Sequence, residues 1–343
     1  MVKVEINGKK RNFLFDTGAS TLISKSLFKE LNTTIIHKQL EQDFFNNRDT
    51  LRIVSLKELK LGNLIFNDIP VSVVDSTQDW FKCNNIEGIV GSNILRNSIV
   101  QISSNANTIT ITDNRKKLTL NKNDASKLNL NESSNPFIKI TLGKVDIMVL
   151  FDSGANGFFA LSNNMMNKIM IGEKSKPFET LATGFGANTL GIFGAEKNTE
   201  RYRLKIPILQ INNSKFENVI IETSSTIQSN IGAALLNYGI VTIDYLDKKF
   251  YIVPYENIVK SENKKWPISP TFINGKLAVG VIWGKLKDQI NIGDQIVAID
   301  STNFEKVDMC NYFSISKLKD KDKAILTIKD KNGSIKQIEI FKE

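Results

Sequence analysis

The chain has 343 residues, 41% hydrophobic and 24% charged, a soluble globular composition long enough for two or three domains. No run of about 18 apolar residues occurs, so no membrane-spanning helix is encoded. The net charge of +9 comes from dispersed lysines such as Lys57, Lys82, Lys139 and Lys205, so a nucleic-acid partner is not expected.

The first element is an alternating strand, Val2-Lys3-Val4-Glu5-Ile6, followed by an Asn7-Gly8 turn. The chain thus starts inside structure, and a leader removed upstream would leave no mark on it. The second strand runs into Phe13-Leu14-Phe15-Asp16-Thr17-Gly18-Ala19. This run recurs as Val149-Leu150-Phe151-Asp152-Ser153-Gly154-Ala155, with a matching hairpin ahead of it at Ile138-Lys139-Ile140 and Gly143-Lys144. Phe66-Asn67-Asp68-Ile69 answers Phe216-Glu217-Asn218-Val219, and Ile89-Val90-Gly91 answers Asn230-Ile231-Gly232. A short helical stretch and a strand follow each of these glycines, with strands at Ile99-Val100-Gln101-Ile102 and Ile240-Val241-Thr242-Ile243. The repeat predicts two similar, mostly-β lobes over 1–120 and 121–258, joined near Asn121-Lys122-Asn123-Asp124. A polar linker, Lys260 to Lys265, precedes a small α/β module over 266–343, with a helix expected from Asp308 to Leu318.

Two carboxylates brought together can share a proton and hold a water. Their loops must nearly touch, which calls for a residue without a side chain at Gly18 and Gly154. Hydroxyls at Thr17 and Ser153 are placed to hydrogen-bond across the pair. The glycine-rich stretch at Gly184-Phe185-Gly186, continuing to Gly191 and Gly194, reads as a mobile hairpin and a candidate substrate flap. The single histidine, His37, supports no Ser-His-Asp triad, and no His-Glu-x-x-His is present, so neither a metal nor a cofactor is expected. Asp244 and Asp300 read as turn residues. Cys83 and Cys310, far apart in sequence, are expected to be unpaired thiols.

Asp16-Thr17-Gly18-Ala19-Ser20 and Asp152-Ser153-Gly154-Ala155-Asn156 resemble the active-site motifs of aspartic proteases. Ile89-Val90-Gly91 and Ile231-Gly232 are similar to the hydrophobic-hydrophobic-glycine element behind each active-site loop, with Asn230 where an apolar residue is usual. The alanine after each glycine resembles the retropepsin branch. The resemblance spans roughly residues 1–258 and implies a bilobal, single-chain endopeptidase that cleaves polypeptides through Asp16 and Asp152. It does not say which aspartate acts first as base. The alternative is a catalytically inactive peptide-binding protein with the same lobes. Since Ala19 and Ala155 carry no hydroxyl to donate to the aspartates, the activity optimum is expected to be less acidic than pepsin's. Tandem forms of this kind in bacteria often carry a PDZ-like domain, which residues 266–343 resemble through Ile290-Asn291-Ile292-Gly293-Asp294-Gln295-Ile296. That implies a peptide ligand, although Pro267 stands where a glycine N–H would capture a terminal carboxylate. A periplasmic or secreted setting is implied by the resemblance alone.

Overall fold

The computed structural model describes residues 1–343 apart from 76–78, 257, 261–263, 315–317 and 319–320. The centre of the expected linker and the end of the expected C-terminal helix lie outside the described residues. The alternation at the N-terminus makes a hairpin, β1 (Val2–Ile6) and β2 (Lys9–Asp16), with Asn7 and Gly8 at positive φ in the turn. There follow β3 (Leu22–Ser24), α1 (Lys25–Leu31), β4 (Ile35–Gln42), β5 (Arg48–Leu61), β6 (Leu64–Val74), α2 (Asp79–Cys83) and β7 (Ile86–Gly91). The hydroxyl of Ser24 accepts from the Leu27 N–H and so caps α1. The strands run in the order β1-β2-β7-β3-β6-β5, closed into a barrel by pairing of β5 with β1, and β4 extends β5. Phe13, Ile23, Val54, Leu59 and Val90 fill its interior.

The second copy repeats this path. After β8 (Ile99–Ser103), β9 (Thr108–Thr112) and β10 (Ala125–Leu130) come β11 (Pro136–Leu142), β12 (Val145–Asp152), β13 (Phe159–Ser162) and α3 (Asn163–Gly172). Ser162 caps α3 as Ser24 caps α1. Next are β14 (Glu179–Gly186), the small hairpin β15 (Leu190–Gly191) and β16 (Gly194–Ala195), β17 (Thr199–Ile211), β18 (Ser214–Ser224) and β19 (Asn230–Gly232). Neighbouring strands follow β11-β12-β19-β13-β18-β17, closed by β17 on β11, with the same directions as in the first barrel. Asp16 pairs with Gly91 and Asp152 with Gly232 in the parallel ladders that seat each loop.

β20 (Gly239–Asp244) and β21 (Lys249–Pro254) complete the second lobe. The two strands read as successors of each glycine, β8 and β20, pair with each other, Asp244 opposite Ile99, and tie the lobes into one sheet. The fully buried Asp244 carboxylate is ion-paired with Arg115 of the first lobe, consistent with a structural role. The cores of both barrels form one apolar cluster.

β22 (Ile258–Lys260) adds to β18, and the C-terminal module follows: β23 (Ile268–Ile273), β24 (Lys276–Trp283), β25 (Gln295–Ile299), β26 (Thr302–Asn303), α4 (Met309–Ser314), β27 (Lys323–Lys329) and β28 (Ile335–Phe341). Leu277, Val279, Ile296, Leu326 and Ile328 make its own core. A strand pairing and a disulfide are among the features that bind it to the lobes. β24 pairs antiparallel with β14, Gly184 facing Trp283 and Gly186 facing Val281. Cys83 on α2 and Cys310 on α4 form a disulfide, with Cα atoms 5.0 Å apart. This overturns the expectation of unpaired thiols: a separation of 227 residues in sequence vanishes once α2 and α4 are brought side by side. No described helix is long and apolar enough to cross a membrane.

Candidate active site

Each aspartate ends a strand with an apolar C-terminal half, alternating in burial in β2 and buried throughout the last four residues of β12, and each carboxyl faces the glycine of the opposite loop. The loops grip each other reciprocally. The Thr17 hydroxyl donates to the Phe151 carbonyl at 2.7 Å and accepts from the Ser153 N–H at 3.1 Å. The Ser153 hydroxyl donates to the Phe15 carbonyl at 2.9 Å and accepts from the Thr17 N–H at 3.1 Å. Thr17 is fully buried, so these four bonds are shielded from water. A Cβ on Gly18 would stand 2.6 Å from the Asp152 Cγ, and one on Gly154 would stand 2.3 Å from an Asp16 oxygen. Behind the loops, a Cβ on Gly91 or Gly232 would strike the backbone at Ser20 or Gly157.

The two carboxyl groups are within hydrogen-bonding reach of each other. Burial, then the negative charge of Asp152, pushes the Asp16 carboxyl well above the usual carboxylate range. Burial also raises Asp152, while donation from Asp16 and from the Gly154, Ala155 and Asn230 N–H groups pulls it back. The Gly154 and Ala155 amides lie 2.9 and 3.1 Å from Asp152 Oδ1, and the Gly18 amide lies 2.8 Å from Asp16 Oδ1. Such a pair titrates as a unit and retains one proton into a pH range where isolated aspartates are ionised.

The N-terminal loop has further supports. The Ser92 hydroxyl donates to the Thr17 carbonyl at 2.7 Å and contacts the Tyr245 hydroxyl of the other lobe at 2.9 Å. Asn135 donates to the Thr17 carbonyl at 3.1 Å. Residues 184–186, read from sequence as a flap, lie inside β14 between β17 and β24. Their glycines serve close approach: a Cβ on Gly184 would meet Trp283 at 2.6 Å. The hairpin beyond them reaches the first lobe, where the Phe193 N–H donates to Asp43 in the β4–β5 turn at 3.2 Å. Ile192 and Phe193 pack on an apolar cluster of Leu22, Leu51, Val74 and Ile89, which Leu14 and Ala19 beside the Asp16 loop also border. His37 lies exposed on β4. A hollow of about 340 Å3, bordered by Lys3, Arg11, Phe81 and Glu87, includes neither aspartate.

Residues 2–94 match the family model described as aspartyl protease. The matched stretch carries Asp16, Thr17, Gly18 and the Ile89-Val90-Gly91 element, and it supports an aspartyl-protease assignment at the level of the family. No curated protein matches the chain. Sequence reasoning missed Asn135, Ser92, Tyr245 and the Asp43–Phe193 contact, because no local motif marks them: each acts through a partner supplied by another lobe.

Proposed function

We propose that the chain is an aspartic endopeptidase in which Asp16 and Asp152 together activate one water. The observation that carries this reading is the reciprocal Thr17–Ser153 grip, which holds the half-buried Asp16 carboxyl beside the buried Asp152 carboxyl. One carboxylate takes a proton from the water as its oxygen attacks the scissile carbonyl carbon. The other carboxyl gives its proton to the carbonyl oxygen as the C=O electrons move onto it, forming a tetrahedral diol. Return of the first proton to the amide nitrogen then breaks the C–N bond as one diol oxygen re-forms the C=O and passes its proton to the other carboxylate, which restores the starting pair. The β15–β16 hairpin and the β4–β5 turn act as the flap pair over the cleft. The C-terminal module is PDZ-like, and the Cys83–Cys310 disulfide fits an oxidising compartment.

The test is cleavage of an unfolded protein across pH, with and without a transition-state-mimicking aspartic protease inhibitor. Wild type should cleave and be inhibited, and Asp16→Asn or Asp152→Asn should each lose at least about a thousandfold of the rate. Absence of cleavage at every pH supports the inactive peptide-binding alternative instead.

A further inference from the structure

The two barrels place similar residues around the aspartates, but the ladder position two residues before each supporting glycine differs in kind. Leu14 pairs with Ile89 and Leu150 with Asn230, so Asn230 and Ile89 occupy matching ladder positions. Asn230 is nearly buried, and its side-chain amide lies 3.4 Å from Asp152 Oδ2, to which it donates. Ile89 offers Asp16 nothing of the kind. We propose that Asn230 is a positioning residue that makes Asp152 the ionised member of the pair, and hence the base, leaving Asp16 to hold the proton. This rests on the aspartic-protease reading above.

The physical argument is one of symmetry. Two like carboxyls related by a pseudo-twofold have no reason to place the shared proton on one side. An N–H donor on one side alone favours negative charge there. Burial of Asp152 sharpens the preference, since a hydrogen bond is electrostatically stronger away from bulk solvent. Among the described residues, no other charge decides the matter. The ionisable groups at the pair are the two aspartates themselves. Glu222, on β18 beyond the β13 strand that flanks Asn230, is neutralised by Arg203 at 2.8 Å. Tyr245 reaches the Asp16 side only through Ser92, and burial raises its phenol further, so it stays neutral. The peptide amides of Gly18 and Gly154 match each other, and the Ala155 amide, 3.1 Å from Asp152 Oδ1, favours charge on the same side as Asn230.

If the charge sits on Asp152 in the active, singly protonated pair, the Asn230 bond is lost only when the pair gains its second proton. The acid limb of the rate profile then depends on Asn230 and the alkaline limb does not. The experiment is kcat/KM against pH for wild type, Asn230→Leu and Asn230→Ser, with folding followed by thermal melting. Leucine has the same size without the donor, and serine is too short to reach. Both variants should raise the midpoint of the acid limb by about half a unit to one unit, with the alkaline midpoint unmoved. An unchanged profile, or a uniform fall in rate at all pH, overturns the proposal, as does a shift confined to the alkaline limb, which would place the proton on Asp152. Should the leucine variant not fold, the serine variant carries the same test. Retention of cleavage by Asp16→Asn or Asp152→Asn would instead overturn the underlying reading, whatever the Asn230 variants do.

Discussion

At the scale of single residues, the site is held by side chains that serve the opposite loop. Thr17→Val removes a donor to the Phe151 carbonyl and an acceptor for the Ser153 N–H. Chemical denaturation should show a loss of about 2 kcal/mol, with cleavage falling more than stability alone explains. The aspartates make the reverse prediction. Because burial and mutual repulsion raise the Asp16 carboxyl, its contribution to stability is present below about pH 4, where an unfolded aspartate is protonated, and is lost as pH rises through the higher folded value. Asp16→Asn should therefore melt above wild type at neutral pH, by on the order of 1 kcal/mol, with the gap closing toward pH 3. A gap independent of pH would contradict the burial argument. Asp16, Thr17, Gly18 and their counterparts were legible in sequence because their chemistry is local, a turn after an apolar strand. Asn230 was legible only as a departure from an apolar pattern, since its partner Asp152 comes from another strand.

At the scale of elements, the repeat predicted strands β2, β7, β12 and β19 together with their order, and the paired barrels follow it. What the repeat could not give was which edges meet. β8 and β20, each read as the strand after a glycine, find each other across the lobes, and β14 finds β24 of the module. Edge pairing is decided by backbone hydrogen bonds that any sequence can make, so composition carries little trace of it. The trace that exists is steric. Gly186, at φ 128°, lies where a Cβ would stand 2.0 Å from the Gly280 carbonyl oxygen. Gly186→Ala should pry β14 from β24. Hydrogen exchange should quicken at residues 281–283 while the β8–β20 sheet keeps its protection. Equal loss at both places would show that the two junctions are one cooperative unit.

At the scale of the whole molecule, three parts are fastened by the β8–β20 sheet, the β14–β24 pairing and the Cys83–Cys310 bond. Pairing of the two cysteines was invisible in sequence, because spacing sets no distance between elements that fold from different parts of the chain. The bond closes a loop of 227 residues, so its removal in Cys83→Ser with Cys310→Ser should cost about 2–5 kcal/mol and lower the melting temperature. Unchanged melting after reduction of wild type would show that the other two junctions suffice. The lobes themselves make the larger claim, that one chain carries one site. Titration of a transition-state-mimicking aspartic protease inhibitor, followed by calorimetry, tests it most directly. The account predicts one inhibitor bound per chain, with affinity lost in Asp16→Asn and in Asp152→Asn alike. Binding that survives either substitution, or one inhibitor bound per two chains, would contradict it.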